Sequence, residues 1–474
     1  MRFASMIVML LWALCSAPMA MASDYAVLSP ERTSTTNAPR YLLSAGVGGG
    51  RYADDGVMSF RPGFHMRLDD ARLGKGGSLF GMDNATPFAL DIVAPMHFTV
   101  VDRGLEDHFW RGSEYNQASE FLSLIRRVEL GRLDGPVYLK TGALTDVRLG
   151  HGTIVDRYTT NYGMDYRRWG VHLQMQSPVA GGTFMIDDIV QPGLVGARVF
   201  VAPWAKQVGP ARALAFGMTM VGDFGAPQTM TRVGDELVFD RFRQPMVEER
   251  RAVGMIGFDL EAQAVDTLRT RMTFYTDLNL FFPGGSAGWH TGSYLGWQSG
   301  EKSVFSLRGE FRLSGNGYMP GYFSKAYEVS RLRVAAPFRA PVTLQELREA
   351  HAVGGYRSGY LVSLQWDHSV LGHIDIGVEG GSGQYDESFY LQYASPADKV
   401  ARFAFRYELP WLASWKRVHV FEQAALSAEL QVSVTPWLML WGQGGRRWRQ
   451  APDGDFRPQT DVQAGATFYY AFPR

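Results

Sequence analysis

The stretch 150–158 is one place where neighbouring side chains could perform hydrolysis. His151 and Thr153 have the spacing of a histidine beside a hydroxyl, and Asp156 is close. Such a pairing can activate a nucleophile. Threonine is a poor substitute for serine, however, and no third partner is evident. The stretch is therefore interpreted as a polar hairpin at the outside of the molecule.

A second candidate is Gly284-x-Ser286-x-Gly288, which matches the pattern of a nucleophile elbow. That motif needs a strand-to-helix turn inside an α/β fold. Here the pattern falls between two predicted strands, where glycine-rich turn chemistry explains it better.

A third candidate is the run Glu106-Asp107-His108, whose side chains could touch a divalent cation. Three adjacent residues do not form a coordination cage by themselves. The sequence therefore predicts no metal site and no cofactor, and it predicts that the chain is not an enzyme.

The composition limits the classes of molecule that this chain could bind. The chain has 474 residues, with 47 basic and 47 acidic side chains, so its formal net charge is zero. A nucleic-acid partner would favour a basic surplus, and none is predicted. The 53 glycines, 21 tyrosines and 12 tryptophans fit either a membrane barrel or a large soluble β-protein.

The N-terminus has the features of a secretion signal. A charged start is followed by an apolar run over 6–14 and by Ala20-Met21-Ala22. This order predicts a signal peptide over 1–22, cut after Ala22. A retained membrane anchor is the alternative, but the apolar run is short for a span. Cys15 is the only cysteine, and the bulky Leu14 before it disfavours lipidation.

Period-two alternation recurs almost throughout the rest of the chain. In 305–313, Phe305, Leu307 and Phe311 alternate with Arg308 and Glu310. Residues 255–264 and 268–280 repeat the pattern. Alternate side chains of a strand point to opposite faces, so each segment has one apolar and one polar face. Each is close to the roughly ten residues that cross a bilayer as a tilted strand.

The lengths of the connections indicate a topology. We predict about twenty strands, within a range of about 16 to 20, two of them near 136–150 and 162–176. Long connections at 102–117, 225–250, 315–354 and 445–458 fall on one side. Short connections fall on the other side, where the long connection 69–86 is the exception. A barrel needs closure because an open sheet edge in lipid leaves backbone groups unpaired.

The last strand resembles the terminal assembly signature of bacterial outer-membrane β-barrels. That signature is polar-x-Gly-x-x-aromatic-x-aromatic, and here it is carried by Gln463, Gly465, Phe468 and Tyr470, with Phe472 continuing the phase. The resemblance implies an all-β, closed antiparallel transmembrane barrel of porin-like type, with long outer loops and short periplasmic turns. It also implies a bacterial outer-membrane location, contact with lipid and lipopolysaccharide, and recognition by the barrel-assembly machinery.

The resulting domain plan is a signal peptide at 1–22, a periplasmic extension at 23–39 and one barrel domain at 40–474. The terminal strand is expected to pair with the first strand near 40–49.

In the long connection 315–354, a short helix is predicted over 341–350, with Thr343 and Glu346 as a capping box. This connection could fold into the lumen, cap the outer mouth or meet a partner.

Charged residues on the non-lipid face are predicted to face the lumen. Two interpretations are open: acids and bases pair across neighbouring strands, or they form the charged walls of a channel. The predicted set is Arg168, Asp259, Glu261, Arg269, Arg271, Asp277, Arg308, Glu310, Arg312, Asp367, Asp375, Glu379, Arg402, Arg406, Glu408 and Glu429.

Three functions remain open from the sequence. The first is passive diffusion of small polar solutes, because a barrel of this width leaves an aqueous lumen unless something fills it. The second is a plugged barrel that anchors an envelope-spanning machine for motility, secretion or adhesion through a protein partner. The third is an outer-membrane hydrolase that uses His151.

Overall fold

The computed structural model describes most of the chain beyond residue 40. The described residues are 41–52, 55–68, 87–101, 118–122, 124–133, 135–160, 168–234, 236–238, 246–325, 327–331, 343–351, 355–382, 387–396, 400–412, 425–450 and 456–472. The predicted signal peptide, the extension 23–39, the Glu106-Asp107-His108 run and the whole 69–86 connection lie outside them.

Strands dominate the described residues. They are β1 Tyr41–Tyr52, β2 Asp55–Leu68, β3 Phe88–Val93, β4 Met96–Val101, β5 Ile125–Gly131, β6 Val137–Gly142, β7 Val155–Asp156, β8 Gly170–Gln176, β9 Ala180–Ile186, β10 Leu194–Val201, β11 Leu214–Asp223, β12 Pro227–Met230, β13 Arg232–Val233 and β14 Glu236–Leu237. They continue with β15 Val247–Arg250, β16 Val253–Asp266, β17 Thr270–Phe282, β18 Ser286–Ser299, β19 Ser303–Ser314, β20 Phe323–Ser324, β21 Arg357–His368, β22 Gly372–Gly381, β23 Glu387–Ala394, β24 Ala401–Leu412, β25 Ala425–Thr435, β26 Leu438–Gln450 and β27 Phe456–Ala471.

Helices within the described ranges are few and short. They are α1 Ala118–Leu122, α2 Tyr327–Ser330 and α3 Leu344–His351, with a 3₁₀ helix at Pro210–Ala213. Among the described residues, no helix is long and apolar enough to cross a membrane. The predicted capping box of α3 is confirmed: Glu346 N–H donates to Thr343 Oγ1 at 3.1 Å, and Thr343 N–H donates to Glu346 Oε2 at 2.6 Å.

One antiparallel sheet closes on itself to form the barrel. It contains 21 strands, of which β3 and β4 both pair with β2 as one interrupted strand. The ring therefore has 20 positions, as predicted. The seam joins β1 to β27, from Leu42 opposite Ala471 to Arg51 opposite Val462. The predicted pairing of the terminal strand with the first strand is thus confirmed.

The connections divide between two rims. The turn rim carries the short connections 132–136, 177–179, 267–269, 300–302, 369–371 and 436–437, together with the first residues of β1 and the last of β27. The loop rim carries the long connections 102–124, 143–169, 224–252 and 315–356. The motif at Ser286 lies where β17 turns back into β18, which fits a turn and not a nucleophile elbow.

The strands have an apolar outer face and a polar inner face. On β19, Leu307, Phe311 and Leu313 are 37–45% exposed, whereas Arg308 and Glu310 between them are 3–5% exposed. Large apolar side chains facing outward around a closed sheet are what a hydrocarbon environment stabilises. The main apolar cluster instead lies inside the barrel, around Leu144, Val155 and Tyr318.

The signature glycine Gly465 has a steric role at the seam. It lies between Gly48 of β1 and Trp441 of β26. A Cβ at this position would collide with the Val47 carbonyl oxygen and lie 2.7 Å from Gly48 Cα. Backbone atoms of paired strands cannot move aside without breaking the ladder.

We therefore expect Gly465→Val to hinder closure and to lower the free energy of unfolding by about 1–3 kcal/mol or more. The measurement is the folded fraction that keeps its faster mobility on unheated denaturing gels. The matched control is Gly309→Val on β19, where an added Cβ meets nothing within 4 Å. Equal folding of the two variants would contradict this account of the seam.

Candidate functional site

Two insertions from the loop rim enter the lumen and pair with each other. The first joins β6 to β8 and contains β7, and the second joins β19 to β21 and contains β20. β7 and β20 are parallel, with Val155 opposite Phe323 and Asp156 opposite Ser324. The sequence left the location of the 315–354 connection open, and the structure places its described part inside the barrel.

Aromatic side chains hold the two insertions together. Tyr158 of the first insertion and Tyr318, Phe323 and Tyr327 of the second are almost completely buried. Tyr158 O–H donates to Glu328 Oε1 at 2.5 Å. Burial and the Glu328 carboxylate raise the pKa of Tyr158 well above its ordinary value, so its hydroxyl keeps its proton. The insertions therefore form a packed aromatic core whose Tyr158 hydroxyl is hydrogen-bonded.

His151 fastens the first insertion to the barrel wall. Its Nδ1 lies 2.8 Å from Asp277 Oδ1 of β17, and its Nε2 lies 3.2 Å from Glu261 Oε2 of β16. Thr153 O–H donates to the other Asp277 oxygen at 2.7 Å, and the imidazole stacks on Tyr275 with centroids 4.2 Å apart. The expectation of a polar hairpin outside the barrel is therefore wrong, because these residues find their partners on the inner wall.

Protonation strengthens this attachment. Burial opposes the charge on His151, but its hydrogen bonds to Asp277 and Glu261 outweigh burial and raise its pKa to about 9. The imidazole is then a cation at neutral pH, held between two carboxylates.

A pH dependence follows from the sign of that shift. Because the folded pKa exceeds the ordinary value of 6.5, the stabilisation is complete below about pH 6.5 and is lost as pH rises through about 9. The loss amounts to at most about 3 kcal/mol. We expect urea unfolding in detergent to show a larger drop in stability between pH 7 and pH 9.5 for the native chain than for His151→Gln.

The control for this measurement is His368→Gln, at the turn rim, where the ring accepts backbone N–H groups from Val370 and Leu371. It should keep the full native drop with pH. An identical pH response in His151→Gln and the native chain would show that His151 does not hold the insertion through its charge.

Asp156 is the acidic centre of the first insertion. Arg148 Nε donates to its Oδ1 at 2.7 Å, and Arg308 Nη1 of β19 lies 3.4 Å from its Oδ2. Burial acts to raise the pKa of Asp156, but Arg148, Arg157 and Arg308 outweigh burial and lower it to about 2. The carboxylate therefore stays charged and ties the insertion to the cationic wall.

A cavity of about 170 Å³ remains between the insertions and the wall formed by β19 and β21–β24. Arg157 and Lys325 of the insertions line one side, and Arg312, Glu379 and Glu408 of the strands line the other. Five glycines in the lining keep side-chain volume out of it: Gly152, Gly321, Gly359, Gly380 and Gly381. The space suits a small polar group surrounded by both signs of charge.

The cations of the cavity are held in fixed positions. Arg157 lies over the Tyr390 ring, 3.5 Å from its centroid, and 3.5 Å from Asp375 Oδ2. Lys325 Nζ lies 3.1 Å from Asp146 Oδ1 and 3.6 Å from Glu408 Oε1. Burial and nearby Arg406 lower the pKa of Lys325. The Lys325 ammonium is therefore buried and held between two carboxylates.

The predicted charged residues fall into three groups. Seven are buried, six are partly buried, and three are exposed close to the turn rim. The buried ones are Asp277, Arg308, Glu310, Arg312, Asp375, Arg402 and Glu429. The partly buried ones are Arg168, Asp259, Glu261, Glu379, Arg406 and Glu408, and the exposed ones are Arg269, Arg271 and Asp367. Their role in solute passage remains a prediction.

The structure corrects the predicted positions of two residues in that set. Arg269 lies in the turn before β17 and not on a strand face. Arg168 precedes β8 and contacts Asp187 and Glu328, so it belongs to the packing of the insertions.

Sequence reasoning missed Arg157 and Lys325 as lining residues. The signal that could have found them is the density of aromatic residues in the 315–354 connection, with Tyr318, Tyr322 and Phe323 close together. Such residues are unusual in an exposed loop. Within the described residues, no group of three or more His, Cys, Asp or Glu side chains could hold a metal ion.

Comparison with known proteins finds similarity among solved structures only. Pseudomonas aeruginosa OccK11 (OpdR) is 11% identical over 91% of this chain and 95% of that chain, with a TM-score of 0.32. P. aeruginosa OpdK, solved with vanillate, is 10% identical over 91% and 98%, with a TM-score of 0.33. A BenF-like porin from Pseudomonas fluorescens Pf-5 is 8% identical over 91% and 98%, with a TM-score of 0.31.

No protein-family model matches the sequence, and no curated protein matches it. At these identities and TM-scores, the solved structures carry no functional argument. The barrel is established by its own strand pairing, and its function has to be inferred from its own residues.

Proposed function

We propose that this protein is a porin-like channel of the bacterial outer membrane that allows small polar solutes to diffuse passively. The observation that carries the proposal is the charged cavity between the insertions and the wall. A 20-position barrel is wide enough for an aqueous lumen, and here the lumen narrows to a space lined by Arg157, Lys325, Arg312, Glu379 and Glu408.

The arrangement of charge favours polar solutes without strong preference for one sign. Arg312 Nη1 donates to Glu379 Oε2 at 2.6 Å, so part of the cationic wall is already neutralised. Lys325 and Arg157 face carboxylates across the cavity. Opposed walls of this kind orient the dipole of a solute and replace part of its hydration shell.

The outer-membrane location rests on the outward apolar band and on the predicted secretion signal. It implies contact with lipid and lipopolysaccharide around the barrel and delivery by the assembly machinery that recognises the terminal strand. The domain plan, with a cleaved 1–22 and an extension at 23–39, belongs to the same proposal. Passive passage requires no chemical step and no cofactor.

Reconstitution into a planar bilayer tests the proposal. We expect discrete conductance steps, and we expect Lys325→Glu to shift the reversal potential in a salt gradient towards cation preference. Thr467→Ser, a conservative change on β27, serves as the matched control and should leave both quantities unchanged. A folded, correctly inserted protein with no steps above background would overturn the channel proposal.

One observation favours a second candidate, the plugged barrel that anchors an envelope machine. The aromatic core of the insertions, including Tyr158, Phe323 and Tyr327, is fully buried, as the core of a soluble domain is. Under this alternative, the loop rim is a contact surface for an envelope protein. Absence of conductance together with stable co-purification of such a partner would favour the anchor.

A further inference from the structure

Three polar residues on the inner wall near the turn rim have the geometry of a nucleophile, a base and an orienting acid. Ser44 of β1 has its Oγ 3.0 Å from His65 Nε2 of β2. His65 Nδ1 lies 2.7 Å from Asp91 Oδ1 of β3. The serine contacts one ring nitrogen and the carboxylate contacts the other, which is the order that hydrolytic triads require.

The register of the sheet creates this arrangement. His65 is directly opposite Asp91, and Ser44 is directly opposite Gly63, two residues before the histidine on the same face of β2. Residues of that face point into the barrel, because Met58 and Phe60 of the alternate face are exposed outward. All three polar groups therefore face the lumen.

The acid of this group is itself oriented. Arg127 of β5 donates through Nε to Asp91 Oδ2 at 3.1 Å and through Nη1 to Glu129 Oε2 at 2.8 Å. The second oxygen of Asp91 is thereby fixed, and the first faces His65. Since a carboxylate only accepts, the neutral imidazole carries its proton on Nδ1 and leaves Nε2 free to accept from Ser44.

Gly63 keeps space open beside the serine. A Cβ at this position would lie 2.5 Å from Ser44 Oγ and 3.2 Å from His65 Nε2. Any side chain there would press on both reacting atoms. The absence of a side chain at Gly63 therefore allows Ser44 and His65 to keep their contact.

We propose that Ser44, His65 and Asp91 form an esterase site in the lumen, acting on small carboxylic esters that enter the barrel. Ser44 Oγ attacks the carbonyl carbon while its proton passes to His65 Nε2. The ester C–O bond then breaks, and the leaving alcohol takes that proton. Water attacks the acyl-serine and gives its proton to His65, which returns it to Ser44 as the acid departs.

Cations flank the site. Arg61 precedes Gly63 by two residues and Arg67 follows His65 by two, so both occupy the inner face of β2. The Arg61 side chain donates to Gln463 and lies over the Trp441 ring, 4.6 Å from its centroid, so the wall beside the site is cationic. Asp91 is a positioning residue, since it acts on the substrate only through His65.

Hydrolysis of p-nitrophenyl acetate and butyrate by the purified full-length barrel in detergent tests the site. We expect Ser44→Ala and His65→Ala to lower kcat/KM at least 100-fold, and a fluorophosphonate probe to label Ser44 in the native chain. Gly63→Ala should lower the rate without removing a reacting group. Asp91→Asn should lower kcat and move the acid limb of the pH–rate profile to lower pH, which loss of structure alone would not do.

The matched control is Ser363→Ala, an inner-face serine of β21 whose cross-strand neighbours are Arg308 and Gly377. It should keep the native rate. Folding of every variant is checked by its mobility on unheated gels. The proposal is overturned if the folded native chain gives no adduct on Ser44, or if Ser44→Ala hydrolyses the esters at the native rate. Ser44→Ala should retain conductance, so this test and that of the channel can fail independently.

Discussion

Glu310→Ala is expected to lower the free energy of unfolding by about 3–5 kcal/mol. Glu310 accepts hydrogen bonds from Tyr275 O–H at 2.6 Å and from Arg308 Nη2 at 2.7 Å. Its other oxygen accepts from Arg312 and lies 3.0 Å from His290 Nδ1. Truncation leaves two buried guanidinium groups without their shared counter-charge. Removing one partner of a buried ion pair in this way strongly lowers the free energy of unfolding.

The measurement is urea unfolding in detergent, followed by tryptophan fluorescence, with the midpoint and slope compared between variants. Asp266→Ala is the matched control, because Asp266 pairs with Arg271 at 3.4 Å and both side chains are more than half exposed. Its effect should stay within about 1 kcal/mol. A loss for Glu310→Ala no larger than that of the control would mean that water reaches this wall and screens its charges.

The barrel itself could be predicted because its governing pattern is local. Every strand that faces lipid on one side and a polar lumen on the other must alternate, as Phe311 and Arg312 do. Closure then follows from the cost of an open edge. The strand near 40–49 and the terminal strand were expected to meet for this reason, and Gly48 and Gly465 pair at the seam.

The insertions could not be predicted because their partners are distant in sequence. The apolar residues Leu144, Val147 and Leu149 were expected to extend a strand to residue 150, but β6 ends at Gly142 and they pack inside the lumen. An apolar residue looks the same in sequence whether it meets lipid or a lumen core. His151 contacts Asp277, 126 residues away, and Tyr158 contacts Glu328, 170 residues away.

The proposed esterase site illustrates an intermediate case. Ser44, His65 and Asp91 lie on three different strands, and no sequence motif contains any of them. They become neighbours only when the exact register of β1, β2 and β3 is known. A shift of one residue would turn His65 to the lipid face, so no prediction with uncertain strand ends could have found the group.

The second insertion is expected to set the conductance of the channel. Replacing 316–355 by a short Gly-Ser linker removes Tyr318, Phe323, Lys325, α2 and α3 together, and with them one whole side of the cavity. Because conductance follows the cross-section of the narrowest region, we expect a several-fold increase in single-channel conductance. Apolar groups of the wall such as Met255 and Phe281 become exposed to the lumen, so some loss of stability should accompany the gain.

A control deletion shows whether a change in conductance comes from removing the constriction or from general damage to the loop rim. Shortening the hairpin of β13 and β14 on its β13 side removes residues of the same rim, among them the exposed Val233, and keeps the buried Leu237. This variant should conduct like the native chain. If the 316–355 deletion folds and inserts but leaves the conductance unchanged, the constriction lies elsewhere. If only the deletion variant conducts, the native insertions seal the barrel, and the anchor becomes the better account of its function.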